Sequence, residues 1–523
     1  MPYVFISYMR ENRDQVERIR SRIEDIGVEV WIDTQNIRPG EDWERATRRG
    51  IEDSSCCLVC FSREFQAKER SFMHEELRLA VLEARNRGPD RRWLLPILLS
   101  PCEIPDYEIG ADLRLGKLER IDLTPDWEDG MERILIALQP LAEPPPIIVL
   151  GSGNGDFVLT HSTPITMGTK NFVDSEQLLG GSGLNASARL LAAGFNAAPI
   201  LSVGPDRLGE MVRDHLVGSA QGTEFQRSSS VFLSDESFFA SEIKTPQSTI
   251  VVDGDRRTIF AEKLSGGRHY FSHVLARLDK ILARGRGRVA AVLIGHIHTD
   301  GRFRPDGTER DAERWGECTR YLIDKFADKC PVLLNFGRNQ IDLGVKFWES
   351  DLENVAMVQF NIEEAKSFFS ELPGMRSSQA ILHWFQERKI SFALTFGKFG
   401  AAATYRDGHD GGILAWPVVN PAEVKDTTGA GDAFAAGVVS ALQGRFDVGF
   451  PEFFDAVRTG RLWAGYACRL IGACSDPPDK KTLEEFAAER NELSSSGKIR
   501  NVELLRRLEF YDKLQTFDAI FSD

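Results

Sequence analysis

Residues 426–434 read DTTGAGDAF. Three small residues, Gly429, Ala430 and Gly431, stand directly before Asp432 and an apolar run of helical character. Small residues let the backbone approach a ligand closely. A helix that begins here turns its free N–H groups toward the loop, an arrangement that binds phosphate. A carboxylate at the edge of such a pocket accepts the proton of a hydroxyl that attacks phosphorus. The same spacing also suits a tight strand-to-helix turn with Asp432 as its cap. Two other groups raise metal chemistry. Cys57 and Cys60 form a CxxC inside SCCLVCFS, but the run is apolar, and no second CxxC completes four zinc ligands. It reads as a buried strand. His296 and His298, in GHIHTD, alternate as on one strand face. They could ligate a metal together, but strand-end histidines more often pack or hydrogen-bond, and no carboxylate spacing completes a set.

These residues need elements to hold them. Over residues 1–140, short apolar stretches alternate with helical periods: YVFISY, VEVWID, SCCLVCFS, RWLLPILL and LERIDL read as strands. Val16, Ile19, Ile23 and Ile26 repeat at helical spacing up to Gly27. Such alternation predicts a parallel sheet covered on both faces. LQPLAEPPPIIVLG (138–151) marks a boundary, because Pro144, Pro145 and Pro146 favour a stiff extended linker. The alternation resumes over 147–477, and a charged tail of helical pattern fills 478–523. The expected organisation is a domain at 1–140, a linker at 141–146, a larger domain at 147–477 and a helical tail at 478–523.

The 523 residues fit two to four domains. A net charge of −14 disfavours a broad nucleic-acid surface. No apolar run reaches the roughly 18 residues a membrane helix needs, and MPYVFISYMR shows no signal peptide. Eight cysteines do not form a disulfide framework at this length. The expectation is a cytoplasmic protein with reduced thiols and with neither a membrane nor a nucleic-acid partner.

DTTGAGDAFAAGVV (426–439) resembles the second signature of the ribokinase family, also called the PfkB carbohydrate kinases. Further motifs follow that family's order over 147–477. VLGSGNGDFVL (149–159) is similar to its first strand, which places Asn154 and Asp156 as sugar-binding residues. GGSGLNASARLLAAG (180–194) is similar to its glycine-rich substrate motif, which adds Gly180, Gly181 and Asn185. SVGPDRLGE (202–210) comes next. NIEE (361–364) matches an Asn-x-x-Glu motif, which implies that Asn361 and Glu364 help position Mg2+ indirectly. TFGKFGA (395–401) is similar to the nucleotide-side loop, with Thr395, Gly397 and Gly400. The resemblance implies a doubly wound α/β domain with a small β lid. Gly429, Ala430 and Gly431 would form the anion hole, Asp432 the base, and Asp426 and Thr428 the border of a K+ site. ATP and Mg2+ are the implied cofactors, and a sugar, nucleoside or nucleotide the ligand. Ser182 departs from the lysine of many ribokinases, which clouds the substrate and not the fold.

FISYMRENRD (5–14), VEVWID (28–33), RPGEDW (38–43) and LVCFSREF (58–65) together resemble the TIR domain, a flavodoxin-like parallel sheet, over roughly 1–140. TIR domains divide into adaptor modules and enzymes that cleave NAD+. In the enzymes a glutamate precedes an apolar residue, four positions after an aromatic. Phe72, Glu76 and Leu77 reproduce that register; Glu75 does not. The resemblance implies Glu76 as the catalytic carboxylate. Ser7, Tyr8, Arg10, Trp31 and Asp33, at the ends of the first two strands, would contact NAD+. Related TIR enzymes assemble, and TQNIRPGEDW (34–43) would lie in the loop that completes a neighbouring copy's site. The expected function is an NAD-cleaving effector of bacterial anti-phage immunity, regulated by its kinase-like domain. Two alternatives stand beside it: an active kinase with a TIR oligomerisation scaffold, and a bifunctional enzyme.

Overall fold

The Cys56–Phe61 strand, CCLVCF, buries every side chain because sheet neighbours flank it and helices cover both its faces. The computed structural model describes residues 3–32, 42–87, 93–110, 113–141, 144–160, 168–223, 232–253, 256–262, 270–304, 308–397, 400–406, 411–415, 419, 421–445, 448–490 and 497–500. The chain divides into two compact units, Met1–Pro144 and Pro145–Asp523.

In the first unit five parallel strands run in the order Glu29–Trp31, Tyr3–Tyr8, Cys56–Phe61, Leu94–Leu98, Ile121–Asp122. Strand alternation sends Val4, Ile6 and Tyr8 into one core layer and Phe5 into the other. The Arg13–Asp25 helix buries Val16, Ile19 and Ile23 at helical spacing in the first layer. The Phe72–Arg87 helix buries Met73, Leu77, Ala80 and Val81 in the second. Cys57 and Cys60 sit inside the sheet, and burial pushes the Cys60 thiol up to about 12.

The second unit is a nine-stranded sheet with a separate four-stranded lid. Six parallel strands run in the order Ala197–Leu201, Ile147–Gly151, Ala291–Ile294, Val332–Leu334, Met357–Asn361, Phe392–Thr395. Ala401–Thr404, Gly411–Ala415 and Gly497–Arg500 extend one edge antiparallel. The lid comprises Asn154–Thr160, Asp174–Gly180, Gln247–Asp253 and Arg256–Ala261.

Three sequence expectations need correction. VLGSGNGDFVL is two strands: the first ends at Gly151, and Asn154 and Asp156 belong to the lid. The chain stays close at the break, since a Cβ on Gly151 would stand 2.7 Å from the Gly183 nitrogen. His296 and His298 are not on a strand face. Their strand stops at Ile294, and His298 opens a 3-10 turn. The tail is not all helix: Lys480–Glu489 is helical, but Gly497–Arg500 is a sheet strand. Asp33, most of the 34–43 loop and the VELLRRLEFYDKLQTF segment lie outside the described residues. Among those described, no helix is long and apolar enough to cross a membrane.

Candidate functional site

In the first unit, Ser7 is the second-last residue of its strand, and its side chain points to the layer covered by the Phe72–Arg87 helix. Its hydroxyl donates to Glu76 Oε2 at 2.6 Å. Both residues are buried: Ser7 is 0% exposed and Glu76 5%. A buried carboxylate is costly without hydrogen bonds, so a helical glutamate turned inward marks a constraint beyond helix formation. Glu75 behaves as an ordinary surface residue, paired with Arg78 at 2.8 Å. Phe72 is 52% exposed one turn before Glu76, and the Arg10 guanidinium lies 5.3 Å from its ring centroid. Ser7, Arg10, Phe72 and Glu76 therefore cluster at the carboxyl ends of the strands, where open α/β sheets bind ligands. Of the other expected contacts, Tyr8 lies apart and Trp31 packs against the same layer. Tyr8 packs in the opposite core layer. Trp31 stacks on Phe5 at 4.7 Å and fills the space a side chain at position 50 would need, 3.0 Å from a Cβ on Gly50.

In the second unit the expected acceptor residues converge. Asn154 Nδ2 donates to Asp156 Oδ1 at 2.7 Å, and burial raises the Asp156 carboxyl. A Cβ on Gly180 would stand 2.6 Å from an Asp156 oxygen. Gly181 adopts φ +105°, and a Cβ there would meet Asn154 Oδ1 at 2.6 Å. Ser182 ties two loops together, because its hydroxyl accepts the His296 N–H at 2.8 Å. Asn185 Nδ2 donates to Asp432 Oδ2 at 2.7 Å, across 247 residues of sequence. Asn335 Nδ2 holds the other oxygen at 3.3 Å. Burial raises the Asp432 carboxyl, countered by the Asn185 bond and by the buried cation Arg189. Arg189 Nη1 donates to the Asn185 carbonyl at 3.1 Å, so the cation is tied to the same helix turn.

Gly429, with φ +73°, caps the Ala430–Leu442 helix, whose first turn carries Gly431 and Asp432. Asn361, Thr395, Gly397, Gly400, Ala430 and Gly431 line one cavity of about 280 Å³. Gln359 Nε2 fixes the Gly431 carbonyl at 3.0 Å, which leaves the loop's N–H side to the cavity. Asn361 and Glu364 form a reciprocal capping box, with both bonds 2.8 Å. Burial, with the Asp432 charge adding to it, raises the Glu364 carboxyl to about 7. Glu364 and its capping partner Asn361 are the residues that could help hold a divalent cation here. Asp426 Oδ1 accepts the Thr428 N–H and hydroxyl at 3.0 and 2.7 Å, and its Oδ2 accepts the Gly472 N–H at 3.0 Å.

His296 and His298 face each other with ring centroids 4.4 Å apart. Burial holds His296 down at about 3 and lowers His298. Among the described residues, no group of three His, Cys, Asp or Glu is placed to hold a metal ion. Sequence reading missed Asn335, Gln359 and Arg189. Asn335 had a signal, as a polar residue at the end of the apolar strand VLL. Arg189 had only its spacing, one helical turn beyond Asn185.

The Glu364 shift makes a stability prediction. An unfolded glutamate ionises near 4.5, this one near 7, so between those values the folded state binds the extra proton. Stability then falls as pH rises through that window. Glu364→Gln keeps the capping box and removes the slope. Melts at pH 5 and pH 8 should show wild type losing about 1–2 kcal/mol relative to the variant, a figure discounted for partial solvent contact. Parallel pH curves for the two proteins would contradict the shift.

These two sites sit on two recognisable classes of α/β domain. Residues 4–135 match the family model described as TIR domain, and residues 348–479 match that of the pfkB family carbohydrate kinases. Similar solved structures include ribokinase from Giardia lamblia, 16% identical with a TM-score of 0.50, covering 66% of this chain and 99% of that one. Another is fructokinase with bound ATP from Xylella fastidiosa, 15% identical with a TM-score of 0.50, covering 67% and 100%. At these identities the likeness is one of fold. No curated protein matches the chain. The chain thus carries a TIR match at 4–135 and a pfkB carbohydrate kinase match at 348–479, the latter within a ribokinase-like fold.

Proposed function

We propose that the TIR domain cleaves NAD+ to nicotinamide and ADP-ribose or a cyclic form of it, and that the ribokinase-like domain binds a sugar, nucleoside or nucleotide and governs that cleavage. The observation that carries the first half is the buried Ser7–Glu76 hydrogen bond. Breaking the nicotinamide–ribose bond develops positive charge at the ribose carbon. A carboxylate fixed beside that carbon stabilises it. Nicotinamide leaves as a neutral molecule from a cationic substrate, so no second acid is required. The Ser7 hydroxyl donates to the carboxylate and so favours its ionised form and one rotamer. The Arg10 guanidinium, 5.3 Å from the exposed Phe72 ring, suits the substrate's pyrophosphate.

A second reading, a working kinase within the same chain, is favoured by the Asn185–Asp432–Asn335 arrangement. There Asp432 would take the acceptor hydroxyl's proton, and the Gly429–Gly431 turn would receive the transferring phosphoryl group. Asn361 and Glu364 would help hold Mg2+, which when bound would supply charge neutralisation beside the phosphates.

An NADase held active at all times would exhaust its own cell, which suits a regulated effector such as one in anti-phage immunity. The Pro144–Pro146 stretch is stiffer than a Gly/Ser tether and suits the relay of a ligand-driven change. Control of this kind requires a ligand with different affinities for the active and inactive forms. Full-length protein should change both its oligomeric state and its nicotinamide release when an effective sugar, nucleoside or phage component is added. Light scattering and chromatography of nicotinamide report the two together. If the 1–140 fragment matches the full chain and no addition changes the full chain's rate, regulation is refuted.

A further inference from the structure

Beyond the Ala291–Ile294 and Val332–Leu334 strands lies a second cavity of about 540 Å³ that shares no lining residue with the one at Gly431. Its volume is that of a small-molecule site. Arg302, Arg304 and Arg338 line it, together with His298, Asn339 and Glu371. Arg302 is pre-aimed: Nε donates to Glu309 at 2.8 Å, and the guanidinium lies 5.2 Å from the Trp315 ring centroid. Arg338 likewise uses Nε, on Asp342. Among the described residues nothing engages the terminal nitrogens of either arginine. Two guanidinium edges thus stand unused in one cavity, and that planar fork matches phosphate oxygens.

The acidic lining does not cancel them. Asp342 is taken by Arg338, and Glu262, the third carboxylate, by Lys244 at 3.1 Å. Glu371 has no hydrogen-bond donor among the described residues. It lies where a Cβ on Gly344 would come within 2.3 Å of Oε1, and Gly344 has φ +76°. A free carboxylate acceptor is suited to hydroxyl groups. Burial keeps His298 neutral, so it adds a hydrogen-bonding ring and no charge.

We propose that this cavity binds a sugar phosphate, with the phosphate on Arg302 and Arg338 and the hydroxyls toward Glu371. Asp432 is not among its lining residues, and the proposal does not rest on phosphoryl transfer there. The test is calorimetry on the full chain with ribose 5-phosphate and fructose 6-phosphate, against ribose, fructose and inorganic phosphate. At least one sugar phosphate should bind about tenfold more tightly than its parent sugar and than phosphate alone. Arg302→Gln and Arg338→Gln should each weaken it about tenfold. Both side chains are largely exposed, at 49% and 72%, so neither change threatens the fold, and melting curves check this. Glu371→Gln should weaken the sugar phosphate and leave inorganic phosphate unchanged. The proposal is overturned if no sugar phosphate binds, or if the parent sugar or phosphate alone binds as well. It is equally overturned if the arginine variants bind like wild type.

Discussion

Glu76→Gln is expected to reduce nicotinamide release by about 10²-fold or more, the scale seen when one pre-organised electrostatic group is removed from a transition state. The substitution is nearly isosteric. The carboxamide oxygen it introduces can still accept from the Ser7 hydroxyl, so the buried contact at 2.6 Å survives and the fold with it. What disappears is the negative charge beside the ribose carbon. Ser7→Ala should fall between wild type and Glu76→Gln, because it leaves the charge but frees its rotamer and removes one donor. Glu75→Gln should have no effect, since that side chain is exposed and paired with Arg78 at the surface. Nicotinamide is measured by chromatography, and circular dichroism checks folding. Wild-type rates in Glu76→Gln would remove Glu76 from the mechanism.

The distinction between Glu75 and Glu76 was legible as register alone. The TIR resemblance singles out position 76, four residues after an aromatic and just before an apolar one, and the structure buries Glu76 while Glu75 stays in solvent. Parallel-strand order was also legible, because a run such as CCLVCF has no polar face to give to water. The lid boundary was not. GSGNG (151–155) signals a turn but not that the next strand joins a separate sheet, and the turn depends on close packing of Gly151 against Gly183, a contact between distant positions. The same limit applies to Asn335 and Arg189. Their meaning comes from Asp432, 97 residues away for Asn335, and no local pattern announces such a partner. Trp31 carries two readings at once. Its place at a strand end suggested a ligand contact, but a ring that size also fills the gap above Phe5 and Gly50.

Asp432→Asn is expected to lower any ATP-dependent phosphorylation by about 10²-fold or more, the usual contribution of a general base. The groups that hold the carboxylate decide its basicity. Asn185 and Asn335 each donate to one oxygen, which orients the group but leaves it a weaker base. Burial acts the other way and raises it, while the buried Arg189 restrains the rise. The balance leaves the Asp432 carboxyl raised, more basic than a surface aspartate, which favours proton abstraction. Two consequences distinguish this from a merely structural role. Acceptor affinity should change little in Asp432→Asn, because Asn154 and Asp156 on the lid are untouched. In Arg189→Met the acid limb of the pH–rate profile should move to higher pH, since losing the cation lets burial raise Asp432 further. Initial rates across pH, with ATP and a panel of sugars and nucleosides, measure both. An unchanged acid limb in Arg189→Met, with activity retained in Asp432→Asn, would leave Asp432 as a helix-turn residue and move the search for the base elsewhere.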